Sequence, residues 1–477
     1  MRNKGLHLNM TNKVVALLSL GLFSLLSSMS GSSTNLALPS ISYDLHISNL
    51  QSTWVVQVAM IVASITFVLF GYFGDILSKN FVFIVGGFVF ILGSLITGAA
   101  LGFLMIILGR IFQAIGFSMI MANSLGIVSE EFDDNSRGQA LATVSMFTTV
   151  GQIAGPAIGG MIISVSSWRW IYLINVPLCC IVMIFSLKSL KFPHYTLPKL
   201  MKSLKGFNCI GEIIFAAGIS ILFLSGLYFQ HGVHGIWKGL ILVILGSAIS
   251  IAAFFQDQHA KQALIPIRLV RNVKYLMSIF ILLLVMLVNA MTNILLPFYL
   301  QSFNGMSPFY SGLIMMGQSL AMLATTPIAG YLADHKDRMK LTIVGLLILL
   351  LSQIGYALYP AKVNLVLIMV PVLLNGIGIA VFLSPNLAIT MGSVDKKVLG
   401  VAGSINSFAR TLGATVGISM TSALLFSQLL HVAHITPNTG MAFMHAFSNT
   451  LWIGVLVNVL AVIVVIARKF ITPKTAK

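Results

Sequence analysis

Long, nearly uninterrupted apolar runs dominate this chain, and a run of about 20 apolar residues is what a helix needs to cross a bilayer. The runs do not alternate between apolar and polar residues, which favours helices over the strands of a membrane barrel. Fourteen spans are predicted, at residues 14–38, 51–73, 80–99, 101–126, 138–163, 169–187, 210–230, 237–256, 276–301, 309–332, 340–360, 363–388, 399–428 and 444–467.

Composition excludes a soluble protein. Charged residues make up 8% of the chain, whereas soluble domains carry about 25%. The three cysteines have no zinc-site spacing, and no phosphate-binding loop for ATP is present in the sequence. We therefore expect an all-α integral membrane protein that is not an enzyme, has no cofactor or metal, and draws its energy from a proton gradient.

The basic residues predict the topology. The chain has 28 Lys and Arg against 11 Asp and Glu. If both termini are cytoplasmic, all but five of the basic residues lie in the tails or in cytoplasmic loops. The exceptions are Arg169, Lys238 and Lys362 outside, and Arg110 and Arg410 within spans. This asymmetry predicts a multi-pass protein of a bacterial inner membrane. It also explains the net charge of +17 as a topology signal and an attraction to anionic lipid headgroups, rather than as a sign of nucleic-acid binding.

A repeated string predicts the domain organisation. Gly-Tyr-x-x-Asp-x-x-x-basic occurs at 71–79 and again at 330–338. Each copy follows the second span of a six-helix set if the seventh and eighth spans are left out, and repeated halves are common in transporters. We predict an N-terminal six-helix bundle at 1–190, basic linkers with two inserted helices at 191–275, and a C-terminal six-helix bundle at 276–477. Because one chain holds both halves, we expect it to function as a monomer.

The two copies of this string are expected to form a gate. Their defining residues are Gly71, Asp75 and Lys79 in the first copy and Gly330, Asp334 and Arg338 in the second. The glycines would permit close helix packing. Each carboxylate would bond to a helix N-terminus or a basic side chain in one conformation and release it in another. Ordinary capping by loop residues is the alternative.

Two arginines lie inside predicted spans, where a charged side chain is unfavourable. We assign Arg110, its neighbour Gln113, and Arg410 to the proton or substrate step. The alternative is a packing role in which backbone carbonyls hold each guanidinium. None of the 11 acidic residues lies near the middle of a span, so the field of a cavity lined by these arginines would favour neutral or anionic substrates.

The fifth span carries small residues at four-residue spacing and one proline. The residues are Gly151, Gly155, Pro156, Gly159 and Gly160. Small residues at this spacing let another helix approach closely, and a proline kinks its helix. The pattern predicts a tightly packed helix interface that can move.

These strings resemble the motifs of the major facilitator superfamily. The two repeated loops are similar to its A motif, Arg110 with Gln113 to its B motif, and the Gly151–Gly160 string to its C, or antiporter, motif. The string Trp-Arg-Trp-Ile-Tyr-Leu-Ile-Asn-Val-Pro at 168–177 resembles the fourteen-helix drug:proton antiporter family. The resemblance implies two six-helix bundles plus two inserted helices, and export of amphipathic compounds against proton entry. Ser30 stands where that family has an acidic residue.

Polar residues within the spans are candidates for a substrate cavity, although each can equally bond helix to helix. They are Asn35, Trp54, Gln57, Asn123, Gln152, Asn289, Asn293, Gln318, Asn375 and Asn406. The leading hypothesis is proton-coupled efflux of small amphipathic compounds. Uptake or exchange of an organic anion is the first alternative, and a non-transporting membrane receptor is the second.

Overall fold

A computed structural model describes residues 10–132, 134–190, 209–229, 233–258, 267–394, 399–429 and 435–471. All regular secondary structure in these ranges is helical. The N-terminal helices are α1 (Met10–Asp44), α2 (Asn49–Ile76), α3 (Lys79–Gly98), α4 (Phe103–Glu131), α5 (Asp134–Val165), α6 (Arg169–Leu173) and α7 (Asn175–Ser189).

The remaining helices begin with the predicted inserted pair, α8 (Cys209–Phe229) and α9 (Val233–Gln258), and a short α10 (Ile267–Val270). The last set consists of α11 (Val273–Pro297), α12 (Pro308–His335), α13 (Arg338–Ala357), α14 (Leu365–Gly392), α15 (Leu399–Ser427) and α16 (Gly440–Ile471).

Twelve candidate membrane spans occur in the described part of the chain, judged by helix length and apolar composition. The short α6 and α7 together form one of them. This confirms the prediction of an all-helical, multi-pass membrane protein. The predicted spans at 210–230 and 399–428 coincide with α8 and α15, which are not among the twelve.

The described helices fall into two compact units. One contains Met1–Ile47 and Trp54–Phe207, and the other contains Ser48–Thr53 and Asn208–Lys477. In the first unit α1 packs on α5 and α3 on α4; in the second, α11 packs on α15 and α13 on α14. If α8 to α10 are set aside, both units therefore pair their first helix with their fifth and their third with their fourth.

The inserted pair packs within the second unit. A Cβ atom on Gly218 of α8 would lie 2.9 Å from the backbone nitrogen of Ser250 on α9, so these two helices nearly touch. Phe215 of α8 contacts Phe408 of α15, with ring centroids 5.7 Å apart. Close backbone approach at small residues is the usual way in which membrane helices associate.

An aromatic cluster closes one end of the second unit. The chain continues from α11 as one turn of π-helix, Phe298–Phe303. Tyr299 stacks on Phe447 at 5.3 Å and Phe303 stacks on Phe443 at 4.9 Å. Tyr299 also donates a hydrogen bond to the carbonyl of Pro360 at 2.7 Å. The rings anchor α11 to α16, and the prediction of a single α-helical span at 276–301 did not include the π turn.

Candidate functional site

The glycines of the fifth predicted span form a seam between α5 and α1. A Cβ atom on Gly151 would lie 2.3 Å from the carbonyl oxygen of Leu25, and one on Gly155 would lie 2.8 Å from that of Met29. Real Cβ atoms essentially never approach within 3.0 Å, so no larger residue fits. Ser33 of α1 donates a hydrogen bond to the carbonyl of Gly155 at 2.7 Å. The seam thus combines close backbone contact with a cross-helix bond.

Gly159 extends the same seam by one turn. A Cβ atom there would lie 2.8 Å from the Cβ atom of Ser33. Pro156 and Gly160 are also buried. The structure therefore has the predicted close approach at this motif, while any movement along it remains a prediction.

A second seam of the same kind joins α15 to α11 in the other unit. Cβ atoms on Gly413 and Gly417 would lie 2.4 Å and 2.3 Å from the carbonyl oxygens of Leu283 and Leu287. Sequence analysis did not single out this pair. The four-residue spacing of the two glycines was a usable signal, and the pairing of first and fifth helices identifies the counterpart.

Arg110 of α4 is buried within the first unit and is 6% exposed. Its Nε donates a hydrogen bond to the carbonyl of Val55 on α2 at 2.9 Å, and its terminal nitrogen donates to Oε1 of Gln113. The guanidinium carbon lies 5.7 Å from the ring centroid of Tyr172. All of these partners are neutral, so the charge is held by a carbonyl, an amide and a ring face and not by a carboxylate.

Ser30 joins this network from α1. Its hydroxyl accepts hydrogen bonds from the amide of Asn175 at 3.1 Å and from that of Gln113 at 3.5 Å. Gln113 also donates to Ser94 of α3 at 3.0 Å. All four side chains are buried. The position that carries an acid in the drug:proton antiporter family therefore lies in the Arg110 network, and sequence analysis had not linked the two.

A cavity of about 120 Å³ lies within the second unit, between α11, α14 and α15. Its polar lining consists of Ser384, Asn386, Asn406 and Arg410, and Leu282 contributes to its apolar side. The structure thus places Arg410 beside one of the predicted cavity residues, Asn406. Arg410 is exposed and makes no hydrogen bond or ion pair within the described residues.

The glycines of the predicted gate do not pack closely. A Cβ atom on Gly330 would have nothing within 4 Å, and one on Gly71 would make an ordinary contact at 3.9 Å with Ala122. The expectation of close packing at these two positions is wrong for this structure, because no other described helix comes close to either glycine. A Cβ atom on Gly74 would meet Asn123, and one on Gly126 would lie 2.5 Å from the side chain of Lys79.

The charged gate residues are only partly described. Arg338 donates a hydrogen bond from Nε to the carbonyl of Ala333 at 2.9 Å. The side chains of Asp75 and Asp334 lie outside what the structure describes. Their role in gating remains a prediction.

Several predicted cavity residues bond helices together. Asn123 of α4 donates hydrogen bonds to the carbonyl of Phe70 on α2 at 3.0 Å and to that of Met119 at 2.8 Å. Asn289 accepts from Gln318 of α12 at 3.0 Å and from Asn293 at 3.2 Å. Asn289, Asn293 and Gln318 thus form one amide cluster between α11 and α12.

The other predicted cavity residues are dispersed. Asn375 is fully buried, and neither polar atom of its amide has a partner within the described residues. The Oδ1 atom of Asn35 is likewise without a partner in those ranges. Gln57 is buried, Trp54 is half-buried and Gln152 is exposed. No single cluster within the described residues unites all ten candidates.

A clasp at the end of α1 explains the Trp168-Arg169 string. Asp44 pairs with Arg169 at 2.6 Å and accepts a hydrogen bond from the indole nitrogen of Trp168 at 3.0 Å. Arg169 also donates to the carbonyl of Ala100 at 3.1 Å. These contacts join the ends of α1 and α3 to the start of α6. Sequence analysis had treated Trp168 only as an interfacial anchor and had not identified Asp44 as its partner.

Asp44→Asn is expected to lower the free energy of unfolding by at most about 1 kcal/mol, because both partners are partly exposed and such pairs contribute little. Thermal unfolding in detergent at low and high salt measures the change, which should shrink as salt screens the pair. Lys362→Gln removes another exposed charge and serves as the control. A loss of several kcal/mol would show that the clasp is a main element of stability.

The chain thus has long apolar helices, a buried arginine network, and helix contacts made at small residues. These features define a polytopic membrane protein. The family profile of the Major Facilitator Superfamily matches residues 20–418. The chain belongs to this superfamily, and it is a membrane transporter.

Individual relatives differ in what they carry. The riboflavin transporter RibZ of Clostridioides difficile is 28% identical over 464 residues, covering 97% of this chain and 98% of RibZ. The multidrug export protein EmrB of Haemophilus influenzae is 23% identical over 434 residues, covering 89% of this chain and 82% of EmrB. A crystal structure of a peptide transporter shares the fold, with a TM-score of 0.70 at 12% identity over 95% of this chain and 94% of its own.

Proposed function

We propose that this transporter is a proton-coupled exporter of small amphipathic compounds, located in a bacterial inner membrane with both termini in the cytoplasm. The observation that carries the proposal is the seam between α1 and α5, which is built from three glycines of the antiporter motif, Gly151, Gly155 and Gly159. The multidrug export protein EmrB, a relative over most of the chain, agrees with this assignment.

The proposal includes fourteen membrane spans. The two helices outside the twelve candidate spans, α8 and α15, contain 21 and 29 residues. At 1.5 Å per residue they are about 32 Å and 44 Å long, and the hydrocarbon core of a bilayer is about 30 Å thick. Both are therefore long enough to cross. The α8–α9 pair would be the two inserted helices of the fourteen-helix drug:proton antiporter family.

Arg110 would contribute through a fixed charge. A guanidinium keeps its proton at physiological pH, so Arg110 does not itself release the transported proton. Its positive field reaches the Ser30 hydroxyl through Gln113, which bonds to both residues. A proton or a cationic substrate near this network would be repelled, and an anionic or strongly accepting group would be attracted.

Replacing both predicted gate carboxylates, Asp75→Asn with Asp334→Asn, is expected to lower turnover about tenfold, in the range of typical conformational couplings. Expression and thermal stability should fall less. Asp337→Asn is the matched control in the same loop. Asp337 caps α13 by accepting from the backbone nitrogen of Met339 at 2.8 Å, and asparagine caps equally well. Equal losses of turnover and expression in the double variant would exclude the gating role.

A second function is favoured by the charges of the described spans. Their buried charged groups include Arg110, Arg468 and, at the end of α9, Asp257, and no acidic residue lies near the middle of a predicted span. Such a chain suits a neutral or anionic compound. RibZ, which is similar over nearly its full length, is a riboflavin transporter. Uptake or exchange of an organic anion or of a flavin is the alternative to drug export.

Everted membrane vesicles test the direction of transport. In vesicles energised by respiration, an exporter should accumulate a neutral or anionic fluorescent dye in the lumen, and a proton uncoupler should release it. Vesicles from cells that lack the chain provide the background. Riboflavin uptake into right-side-out vesicles is measured in parallel. Riboflavin uptake without dye accumulation would replace the export proposal with the alternative.

A further inference from the structure

We infer that the cavity beside Arg410 is a binding subsite for an anionic head group, such as the carboxylate or phosphate of an amphipathic compound. This inference rests on the proposed function only for the class of molecule. The site itself is defined by the side chains of α11, α14 and α15 in one unit.

The charge at this site has no counterion within the described residues. Arg410 is the twelfth residue of α15, which places it about 16 Å along the helix from Leu399. No Asp or Glu occurs in α11, α14 or α15. Arg410 lines the cavity, and its side chain makes no hydrogen bond or ion pair with the described residues. Because a cation inside a span is strongly stabilised by a partner, an anion entering the cavity would supply one.

Asn406 provides the second, independent observation. It lies four residues before Arg410, one helical turn away and on the same face. Its side chain is 8% exposed, and its Oδ1 atom has no hydrogen-bond partner in the described ranges. A buried amide without a partner is unfavourable. The Asn406 amide also carries an NH₂ group, which can donate to an anion in the cavity.

The remaining lining limits what can bind. Asn386 donates its amide nitrogen to the carbonyl of Ser278 at 3.3 Å, and the Ser278 hydroxyl accepts from Arg468 at 2.6 Å. The amide nitrogen of Asn386 therefore bonds α14 to α11 and is not available to a ligand. The donors left for a ligand are Arg410, Asn406 and the Ser384 hydroxyl. Three donors around a small volume suit the oxygens of a carboxylate or phosphate.

The size of the cavity indicates a head-group subsite. Its volume is about 120 Å³, whereas sites that enclose a whole drug-sized ligand measure roughly 300–1,000 Å³. Leu282 and the leucines of α14 provide an apolar side for the first carbons of a chain. The subsite thus selects the end of an amphipathic molecule by charge and leaves the rest of the molecule unspecified.

Equilibrium binding to the purified full chain in phosphatidylcholine nanodiscs tests the inference without any gradient or transport. The probes are radiolabelled decanoate, decanamide and decyltrimethylammonium, which share a chain length and differ in head-group charge. Decanoate is expected to bind most tightly. Arg410→Gln should weaken decanoate binding about 10- to 100-fold, as expected for a charge-assisted hydrogen bond, and should leave decanamide nearly unchanged.

Three further variants make the result specific. Arg271→Gln removes an exposed charge from the same unit and should leave binding unchanged. Arg410→Lys should retain part of the affinity, since it keeps the charge without the planar fork. Asn406→Leu should weaken decanoate binding several-fold without removing a charge, which keeps the inference testable if Arg410→Gln does not fold.

Inorganic phosphate and phosphatidylglycerol distinguish the sources of the anion. Competition by phosphate would show a site for free anions, and competition by phosphatidylglycerol added to the nanodisc would identify a lipid headgroup as the occupant; either supports the subsite. Equal binding of decanoate to the wild type and a folded Arg410→Gln variant would overturn it, as would a preference for the cationic probe. Binding without any transport would uphold the subsite and count against the exporter.

Discussion

Gly151→Ala is expected to reduce transport to a small fraction of the wild-type rate, because the added methyl group has no space in the α1–α5 seam. Its carbon would lie 2.3 Å from the carbonyl oxygen of Leu25 and 3.0 Å from the carbonyl carbon. Both are backbone atoms, so no side-chain rotation relieves the clash and the helices must separate. Overpacking of this kind costs about 1–3 kcal/mol. Substrate flux and thermal unfolding of the purified variant measure the two effects.

The control for this prediction is Gly31→Ala on α1. A Cβ atom there has nothing within 4 Å, and alanine favours helix over glycine by up to about 1 kcal/mol. Stability should stay the same or rise, and transport should be unaffected. Gly417→Ala tests the second seam, since its methyl carbon would lie 2.3 Å from the carbonyl oxygen of Leu287. Normal flux in both seam variants would show that neither contact matters for transport.

Arg110→Gln is expected to lower transport about 100-fold, equivalent to about 2.7 kcal/mol, with a much smaller change in stability. Burying a charge among neutral partners is unfavourable, so its removal offsets part of the lost bonding. The losses are the bonds to the Val55 carbonyl and to Gln113. The measurement compares transport rate and unfolding temperature for the same preparation.

Arg110→Lys separates the charge from the contacts. Lysine keeps a positive charge but lacks the planar fork that reaches two partners at once. If the fixed charge drives the effect, the lysine variant should transport faster than the glutamine variant at equal stability. If Arg110 is only a packing group held by a carbonyl, both variants should lose stability and transport in parallel.

The fold was predictable to the extent that it depends on apolar length and small-residue spacing. Every predicted span is helical, with 169–187 divided into α6 and α7, because the bilayer leaves few other ways to satisfy backbone hydrogen bonds. A close helix contact at α5 was predictable from Gly151, Gly155 and Gly159, because small residues at this spacing let two backbones meet, whereas its partner α1 was not. The π turn after Pro297 was not predictable, because it depends on the aromatic stacking of Tyr299 and Phe303.

The site was less predictable, because polar residues in spans bond across helices that lie far apart in the sequence. Arg110 was identified from its position, but its contact with Val55 joins helices 55 residues apart. For the gate glycines, the sequence predicted a close helix contact that the structure does not have. Gly71 and Gly330 repeat in sequence, yet neither is in close contact with another described helix, whereas Gly93 and Gly116 meet the backbone of the neighbouring helix. Asp44 was not linked to Arg169, 125 residues away, because neither residue alone indicates the other.

Proton movement in sealed proteoliposomes is the most direct test of coupled export. The purified full chain is reconstituted with a proton-sensitive dye inside, and matched cationic, neutral and anionic amphipathic compounds are added with and without a pH gradient. Proton-coupled export predicts that at least one compound moves protons in the opposite direction to itself, that an imposed gradient drives its accumulation, and that Arg110→Gln abolishes both. Compound movement that is independent of the proton gradient, in a folded and orientation-checked preparation, would contradict it.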